Sequence, residues 1–371
     1  MAWSVRRTGT RRATWTRFPA PTSTNSRSGP VVDDDRRARP GRSVVTPAVS
    51  IVMPTYNRWG QLEAALAGLA GQSVPQDELE IIVVSDGSTD GTDAHLRAGR
   101  APVDVVFLEQ ANSGPAVARN AGVAAATAEL VLFIDDDVVA QPGCVAAHLR
   151  SHERAAGPTV VIGPLLTPTD GHLDPWVEWE QYTLDQQYEA MRRGDWAPTA
   201  RQFYTGNASL SRSEIVAAGG FDPAFRRAED VELAYRLAKR GMSFDFEFDA
   251  KAYHYASRSY ESWLSNAKAY GRNDAVMWRD GGEDWLLSAL SSEYRERNRL
   301  VRAHTTIGLR VPALQRLGEV VAPKLAPPLV KSGMGGLARR GLSAVYNLAY
   351  YRSLLDELDH KSARVLVEHR P

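Results

Sequence analysis

From Val49 onward the chain alternates short, uninterrupted apolar runs with stretches whose apolar residues recur at helical spacing. VSIVMP, residues 49 to 54, predicts a buried strand ending at Pro54. After TYNR, Leu62, Leu66 and Leu69 fall on one face of a helix. ELEIIVVSDGSTDGT repeats the arrangement, with a continuous strand from Ile81 to Val84, a polar glycine-containing turn and a second helix. A third strand is expected in VDVVFL from Val103, followed by an alanine-rich helix whose first turn suits Pro115. The fourth strand, Leu130 to Ile134, delivers Asp135, Asp136 and Asp137 to its end. Continuous apolar strands alternating with helices predict a parallel sheet covered on both faces.

Beyond Pro142 the pattern gives a helix through His148 and a strand in TVVIG, then loosens. Residues 175 to 194 form an aromatic-rich helical segment with Trp176, Trp179, Tyr182 and Tyr188, a spacing that serves packing more often than a sugar platform. RQFYTGNASLSR reads as extended and includes Gly206 and Asn207; GGFDPAF reads as a turn. AEDVELAYRLAKRG is a helix with Val231, Ala234, Leu237 and Ala238 as its apolar face. Glu229 and Asp230 stand at its start, where the helix dipole and free N–H groups favour acids without any further role. SFDFEFDAKAYHYA alternates aromatic and acidic residues and is expected as one half-buried strand ending at His254. Helices follow from Tyr260. Between 295 and 340, Arg295, Arg297, Arg299, Arg302, Arg310, Arg316, Lys324, Lys331, Arg339 and Arg340 face only Glu296 and Glu319. Interleaved with Leu, Val and Pro, these bases fit either a solvated helical surface or contact with an anionic membrane surface.

Composition narrows the classes. With 371 residues, 43% hydrophobic and 24% charged, the chain can build one large domain or two ordinary ones. Lys+Arg and Asp+Glu both total 44, so the overall charge gives no sign of nucleic-acid binding. A single cysteine, Cys144, excludes an internal disulfide and a cysteine-based metal cluster, and suits core filler in a reducing compartment. No apolar run approaches the roughly 20 residues that span a bilayer. Residues 1 to 46 hold Arg, Ser, Thr, Pro and Gly with few aliphatics, the composition of a disordered basic tail. Arg6, Arg7, Arg11 and Arg12 are followed by no apolar region, so no secretory signal is expected. The expected location is the cytoplasm, with peripheral contact at the inner face of the membrane if the basic segment docks there.

Three adjacent carboxylates repel one another and are best tolerated where solvent or a cation compensates them. On residues 129 to 143 alone, a divalent-metal site and an acidic turn are equally good readings. Ligands of open parallel sheets gather at the carboxyl ends of the strands, near the point where strand order reverses. That rule points Thr55, Tyr56, Asn57, Asp86, Asn112 and the three aspartates at one crevice.

Taken in order, VSIVMPTYNR, IIVVSDGSTDGT, NSGPAVARNAG, LVLFIDDDV, GGFDPAFRRAEDVELAYRL and AYHY resemble the successive motifs of family 2 glycosyltransferases of the GT-A fold. The resemblance covers roughly residues 48 to 260 and implies an α/β fold: a Rossmann-like, mostly parallel nucleotide-binding sheet flanked by helices. It also implies a nucleotide-sugar half (47–140) and an acceptor and catalytic-base half (141–285); the tail and the C-terminal hundred residues lie outside it, and 286–371 is expected as a C-terminal helical extension. Asp135 and Asp137 match the D-x-D motif, which binds the donor's ribose and a Mg²⁺ or Mn²⁺ on its diphosphate; Asp136, also counted on the donor side, is the spacer that turns away. Pro54, Thr55, Tyr56, Asn57, Asp86 and Asn112 fall on the nucleotide side. Arg119 occupies a basic position that either helps to place the diphosphate or makes a structural ion pair.

Asp230 matches the general base of the E-D motif, with Glu229 orienting it or meeting the acceptor. His254 matches a position that in some relatives completes the metal shell, and Gly206 and Asn207 resemble an acceptor-side G-N segment. The implied reaction is metal-assisted single displacement with inversion, from a nucleotide-diphosphate sugar (UDP as first choice) to a glycan, lipid-linked or small-molecule hydroxyl. Cell-wall or polysaccharide biosynthesis is the implied setting. The chain lacks the Q-x-x-R-W motif of processive polymerases, which favours one or few sugar additions. Two alternatives are a nucleotidyltransferase, which generally opens with a glycine-rich phosphate loop where this chain has PTYNR, and a non-catalytic nucleotide-sugar-binding protein of the same fold.

Overall fold

The computed structural model describes residues 46–168, 173–225, 227–279, 284–296 and 299–358. The expectation for the basic N-terminal tail lies outside them. The first half runs β1 (Val49–Thr55), α1 (Trp59–Ala70), β2 (Leu79–Ser85), α2 (Thr92–Arg97), β3 (Val106–Glu109), α3 (Pro115–Ala125) and β4 (Leu130–Ile134). The middle adds β5 (Val138–Ala140), α4 (Cys144–Arg154), β6 (Thr159–Ile162), β7 (Leu165–Leu166), α5 (Pro175–Arg192), β8 (Asn207–Ser211) and α6 (Arg212–Ala217). Next come α7 (Glu229–Lys239), β9 (Ser243–Phe246) and β10 (Ala252–His254). Helices α8 (Tyr260–Arg279), α9 (Asp284–Glu296), α10 (Arg299–Arg310), α11 (Pro312–Lys331) and α12 (Gly335–Glu357) complete the chain.

Seven strands form the main sheet in the order β3-β2-β1-β4-β8-β6-β9, in which only β8 runs against the rest. Order therefore reverses between β1 and β4, the switch point at which such sheets open a crevice. Both faces of β1 are covered. Val52 packs with Phe133 and the α3 alanines on one side, while Ile51 and Met53 pack with Leu62, Leu66 and Leu69 of α1 on the other. This is why the strands read as unbroken apolar runs. Close packing is set by Gly122 of α3, where an added Cβ would come within 2.4 Å of Val52 Cγ1.

A second, three-stranded sheet, β5-β10-β7, corrects one expectation. The segment read as a single strand to His254 breaks after Phe246, where Glu247 and Ala250 close a turn, so that β9 joins the main sheet and β10 the small one. Alternation alone cannot reveal that break, since period-2 patterning continues through the turn. β3 starts at Val106 rather than Val103, and α6 begins at Arg212, the last residue of the segment read as extended. In α7 the buried core residues are Leu233, Ala234, Tyr235 and Leu237, and Ala238 is exposed. Cys144 is fully buried at the start of α4, and burial pushes its thiol up to about 12. Trp179 and Tyr346 meet Trp263 in a separate aromatic core that fastens α5 and α12 to α8. None of the described helices is long and apolar enough to cross a membrane.

Candidate active site

The registers of β1 and β4 bring their ends level. Val52 pairs with Phe133, which carries Thr55 to the height of Asp136, and Thr55 Oγ1 donates to Asp136 Oδ2 at 2.8 Å. Asp136 therefore turns back into the β1 end rather than acting as a bare spacer. It is buried, and burial pushes its carboxyl up to about 6 against the opposing pull of Arg58. Arg58 Nη1 sits 3.1 Å from both Asp136 Oδ1 and Asp137 Oδ2. Reading the sequence as a strand followed by a polar turn did not single out Arg58. Its position directly after Asn57, at the entry to α1, is the only signal that the sequence offers.

Asp86, at the end of β2, accepts from the backbone N–H groups of Ser113 and Gly114 at 2.7 and 2.9 Å and from Gln110 Nε2 at 2.8 Å. It thereby fixes the loop that opens α3 and keeps Asn112 at the rim. Asn57 adopts a left-handed backbone (φ 55°), and its Oδ1 accepts from Thr89 N at 2.6 Å. It ties the turn after β1 to the turn after β2 and does not line the cleft. Tyr56 does line it and is half exposed.

The second contribution crosses a large sequence distance. Arg119, on α3 and almost fully buried, donates to Asp135 Oδ1 at 2.8 Å and to Glu229 Oε1 at 2.7 Å. Burial opposes its charge, but Asp135 and Glu229 more than compensate, so the guanidinium stays protonated. The residue foreseen as either a diphosphate contact or an ion pair makes the ion pair. Its bridge holds the β4 end against the start of α7. There Ala228 takes the left-handed conformation (φ 56°), uncommon without glycine, and directs Glu229 and Asp230 into the cleft. Burial and the neighbouring Glu229 push the Asp230 carboxyl up to about 7, with Arg119 opposing.

From the small sheet, His254 presents Nε2 3.6 Å from Asp137 Oδ1. Burial holds the imidazole below its ordinary range despite Asp137, so the ring is neutral near pH 7. A hard carboxylate oxygen beside a neutral imidazole nitrogen suits Mg²⁺ or Mn²⁺, provided that a ligand's phosphates complete the shell. Among the described residues no group of three His, Cys, Asp or Glu side chains is placed to hold a metal ion without such help. The fit is thus to a cation shared with a ligand.

These groups line one cleft of about 1100 Å³ with Pro54, Asn112 and Gly206, and its wall continues along Trp179, Glu180, Arg201, Tyr270 and Tyr346. Asn207 does not reach it. That side chain is fully buried, accepts from His148 Nε2 at 2.9 Å and donates to Ala250 O at 2.7 Å. It fastens α4 and β8 to the turn before β10. Gly206 beside it does line the cleft, and an added Cβ there would stand 3.4 Å from Asp135 Oδ2.

Comparison with known proteins agrees with this architecture. Residues 50–216 match the family described as Glycosyl transferase family 2. Over 228 residues the chain is 31% identical to a validoxylamine A glucosyltransferase of Streptomyces hygroscopicus subsp. jinggangensis, an alignment covering 55% of this chain and 54% of that relative. It is 29% identical over 235 residues to a pre-mycofactocin glycosyltransferase of Mycobacterium tuberculosis, covering 62% of this chain and 47% of the other. The chain thus spans about half the length of these curated relatives. Among solved structures, a mannosyltransferase from Pyrobaculum calidifontis in complex with GDP-Man and Mn²⁺ shares the fold, with a TM-score of 0.51, 23% identity and coverage of 82% of this chain and 88% of that one. The matched segment, which holds the β1, β2 and β4 ends and Arg119, is similar to the family 2 glycosyl transferases.

Proposed function

We propose that the protein transfers a sugar from a nucleotide-diphosphate sugar to an acceptor hydroxyl by single displacement with inversion. The observation that carries this reading is the Arg119 bridge. It holds a donor-side carboxylate, Asp135, and the acid pair at the start of α7 on opposite walls of one cleft. Displacement at an anomeric carbon needs a base on the acceptor and charge neutralisation on the leaving diphosphate, and two such walls divide those tasks.

In this reading Asp230 takes the proton from the attacking hydroxyl, and its raised pKa of about 7 matches a base that works near neutral pH. Glu229, held by Arg119, keeps that helix start in place and adds to the pressure that raises Asp230. Thr55, Tyr56 and Asp86 border the nucleotide, with Asp135 toward the ribose. Asp137 and His254 would hold Mg²⁺ or Mn²⁺, which when bound neutralises charge on the diphosphate. Arg58, already beside Asp136 and Asp137, is placed to meet the same phosphates. The acceptor enters along α5, α8 and α12, whose Gln187, Tyr270 and Tyr346 offer polar contacts.

The test is a screen of UDP-, GDP- and dTDP-sugars, each with and without Mn²⁺, for thermal stabilisation and slow donor hydrolysis. The reading requires at least one nucleotide sugar to bind in a metal-dependent way and to be hydrolysed. Binding without hydrolysis or transfer would favour a non-catalytic binding protein, and no metal-dependent binding to any of them would refute the proposal.

A further inference from the structure

The described residues carry thirteen exposed large hydrophobic side chains, and eight of them fall between residues 300 and 337. On α11, positions 313, 316, 317, 320, 324 and 328 are exposed at three-to-four-residue spacing, which is one helical face. That face sets Leu317 and Val320 (59% and 57% exposed) among Arg316 and Lys324, with Leu325 and Lys331 at its border. The opposite side of α11, through Ala322, Ala326 and Leu329, packs into the aromatic core beside α12. α10 repeats the design. Val301, Thr305 and Gly308 turn inward, with Gly308 against Leu348 of α12, while Ile307 and Arg310 face out.

Charge identifies the occupant of this surface. Residues 299 to 340 contain Arg299, Arg302, Arg310, Arg316, Lys324, Lys331, Arg339 and Arg340 against one acid, Glu319. Glu319 is engaged by Lys268 at 3.2 Å and by Gln315 at 2.9 Å, and Arg339 is engaged by Glu178 at 3.3 Å. The outward stripes therefore combine aliphatic side chains with an uncompensated positive field. A second copy docked through the same face would set positive charge against positive charge. An anionic bilayer surface satisfies both features, since its headgroups meet the bases while Leu and Val enter the acyl boundary. We infer that α10 and α11 form a peripheral docking surface for anionic lipid. α12, against which both pack, also supplies Ser343 and Tyr346 to the cleft wall, so surface and cleft share one helix.

The test is co-sedimentation of the full chain with phosphatidylcholine vesicles with and without phosphatidylglycerol, for the wild type, Leu317→Ser/Val320→Ser and Arg316→Gln/Lys324→Gln/Lys331→Gln. All five positions are exposed, and circular dichroism with unfolding curves checks that each variant folds; either variant alone suffices if the other does not. Wild type should bind only vesicles containing phosphatidylglycerol. Each base removed should weaken binding about fivefold, so the triple charge variant should bind about a hundredfold more weakly. The serine pair should also weaken binding. Three results would overturn the inference: no wild-type binding, equal binding to pure phosphatidylcholine, or full binding by both variants. A dimer in sedimentation velocity that these substitutions dissociate, without vesicle binding, would also overturn it and assign the face to a second copy. None of these readouts depends on catalysis.

Discussion

Replacing Arg119 by methionine keeps most of the side chain's volume and removes the charge that joins the two walls of the cleft. The side chains of Arg119 and Glu229 are 6% and 10% exposed, whereas Asp135 is 35% exposed. Breaking a buried pair by removing one partner typically costs about 3–5 kcal/mol, because the remaining charge is left uncompensated. Asp135 is open enough for water to screen it, so its share is limited to at most about 1 kcal/mol. Loss at Glu229 then dominates, and Arg119→Met should destabilise the protein by roughly 3 kcal/mol. At about 2–4 °C per kcal/mol for a domain of this size, the melting temperature should fall by roughly 6–12 °C.

Urea unfolding followed by tryptophan fluorescence measures the loss. Adding Glu229→Gln should recover more than half of it, since the orphaned charge is then gone, and the double-mutant cycle isolates the coupling. Arg119→Lys should sit between, because an ammonium cannot span two carboxylates as a guanidinium fork does. A loss below about 1 kcal/mol for Arg119→Met, against the buried-pair expectation, would show that the two walls are held together by something else. Strict additivity of the two substitutions would show the same.

The remaining expectations concern single groups. Asp230→Asn should retain donor affinity and lose transfer. In the wild type, transfer should rise as pH increases through about 7, because the base must be ionised and its carboxyl is raised; a rate that falls across that range excludes the role. The same raised carboxyl contributes stability that is full below the ordinary carboxylate range and is lost as pH climbs to about 7. Asp137→Ala should abolish Mn²⁺-dependent donor binding measured by calorimetry, and unchanged affinity with Mn²⁺ would remove Asp137 from the metal site. Asn207→Ala should cost about 1–3 kcal/mol by leaving buried partners unsatisfied, while acceptor KM in the folded enzyme stays within twofold. A selective rise in KM without loss of stability would restore an acceptor role.

Much of the first half of the sheet was legible because its physics is local. A strand covered on both faces is predominantly apolar, so Ile51 to Met53, Ile81 to Val84 and Leu130 to Ile134 announce themselves, and the leucines of α1 follow helical spacing. Polar residues that directly follow such strands stand at the carboxyl edge, which is why Thr55, Asp86 and Asp135 could be placed in one crevice. What the sequence left open depends on distance. Nothing local says that Arg119 meets Glu229, 110 positions away, or that Arg58 lies between Asp136 and Asp137. Asn207 looked like a cleft residue because it neighbours Gly206, yet strand alternation sends its side chain into the core, where Cys144, His148, Pro164 and Ala250 hold it. The break between β9 and β10 was equally hidden, since period-2 alternation persists across a turn and only pairing partners reveal two sheets.

The sequence by itself thus determined the layered sheet, its edge chemistry and the resemblance to a family, because each follows from patterning along the chain. Tertiary structure alone decided which charges compensate which, and which face of α10 and α11 remains bare. Those outcomes depend on burial and on contacts between segments far apart in the chain, and no local pattern contains them.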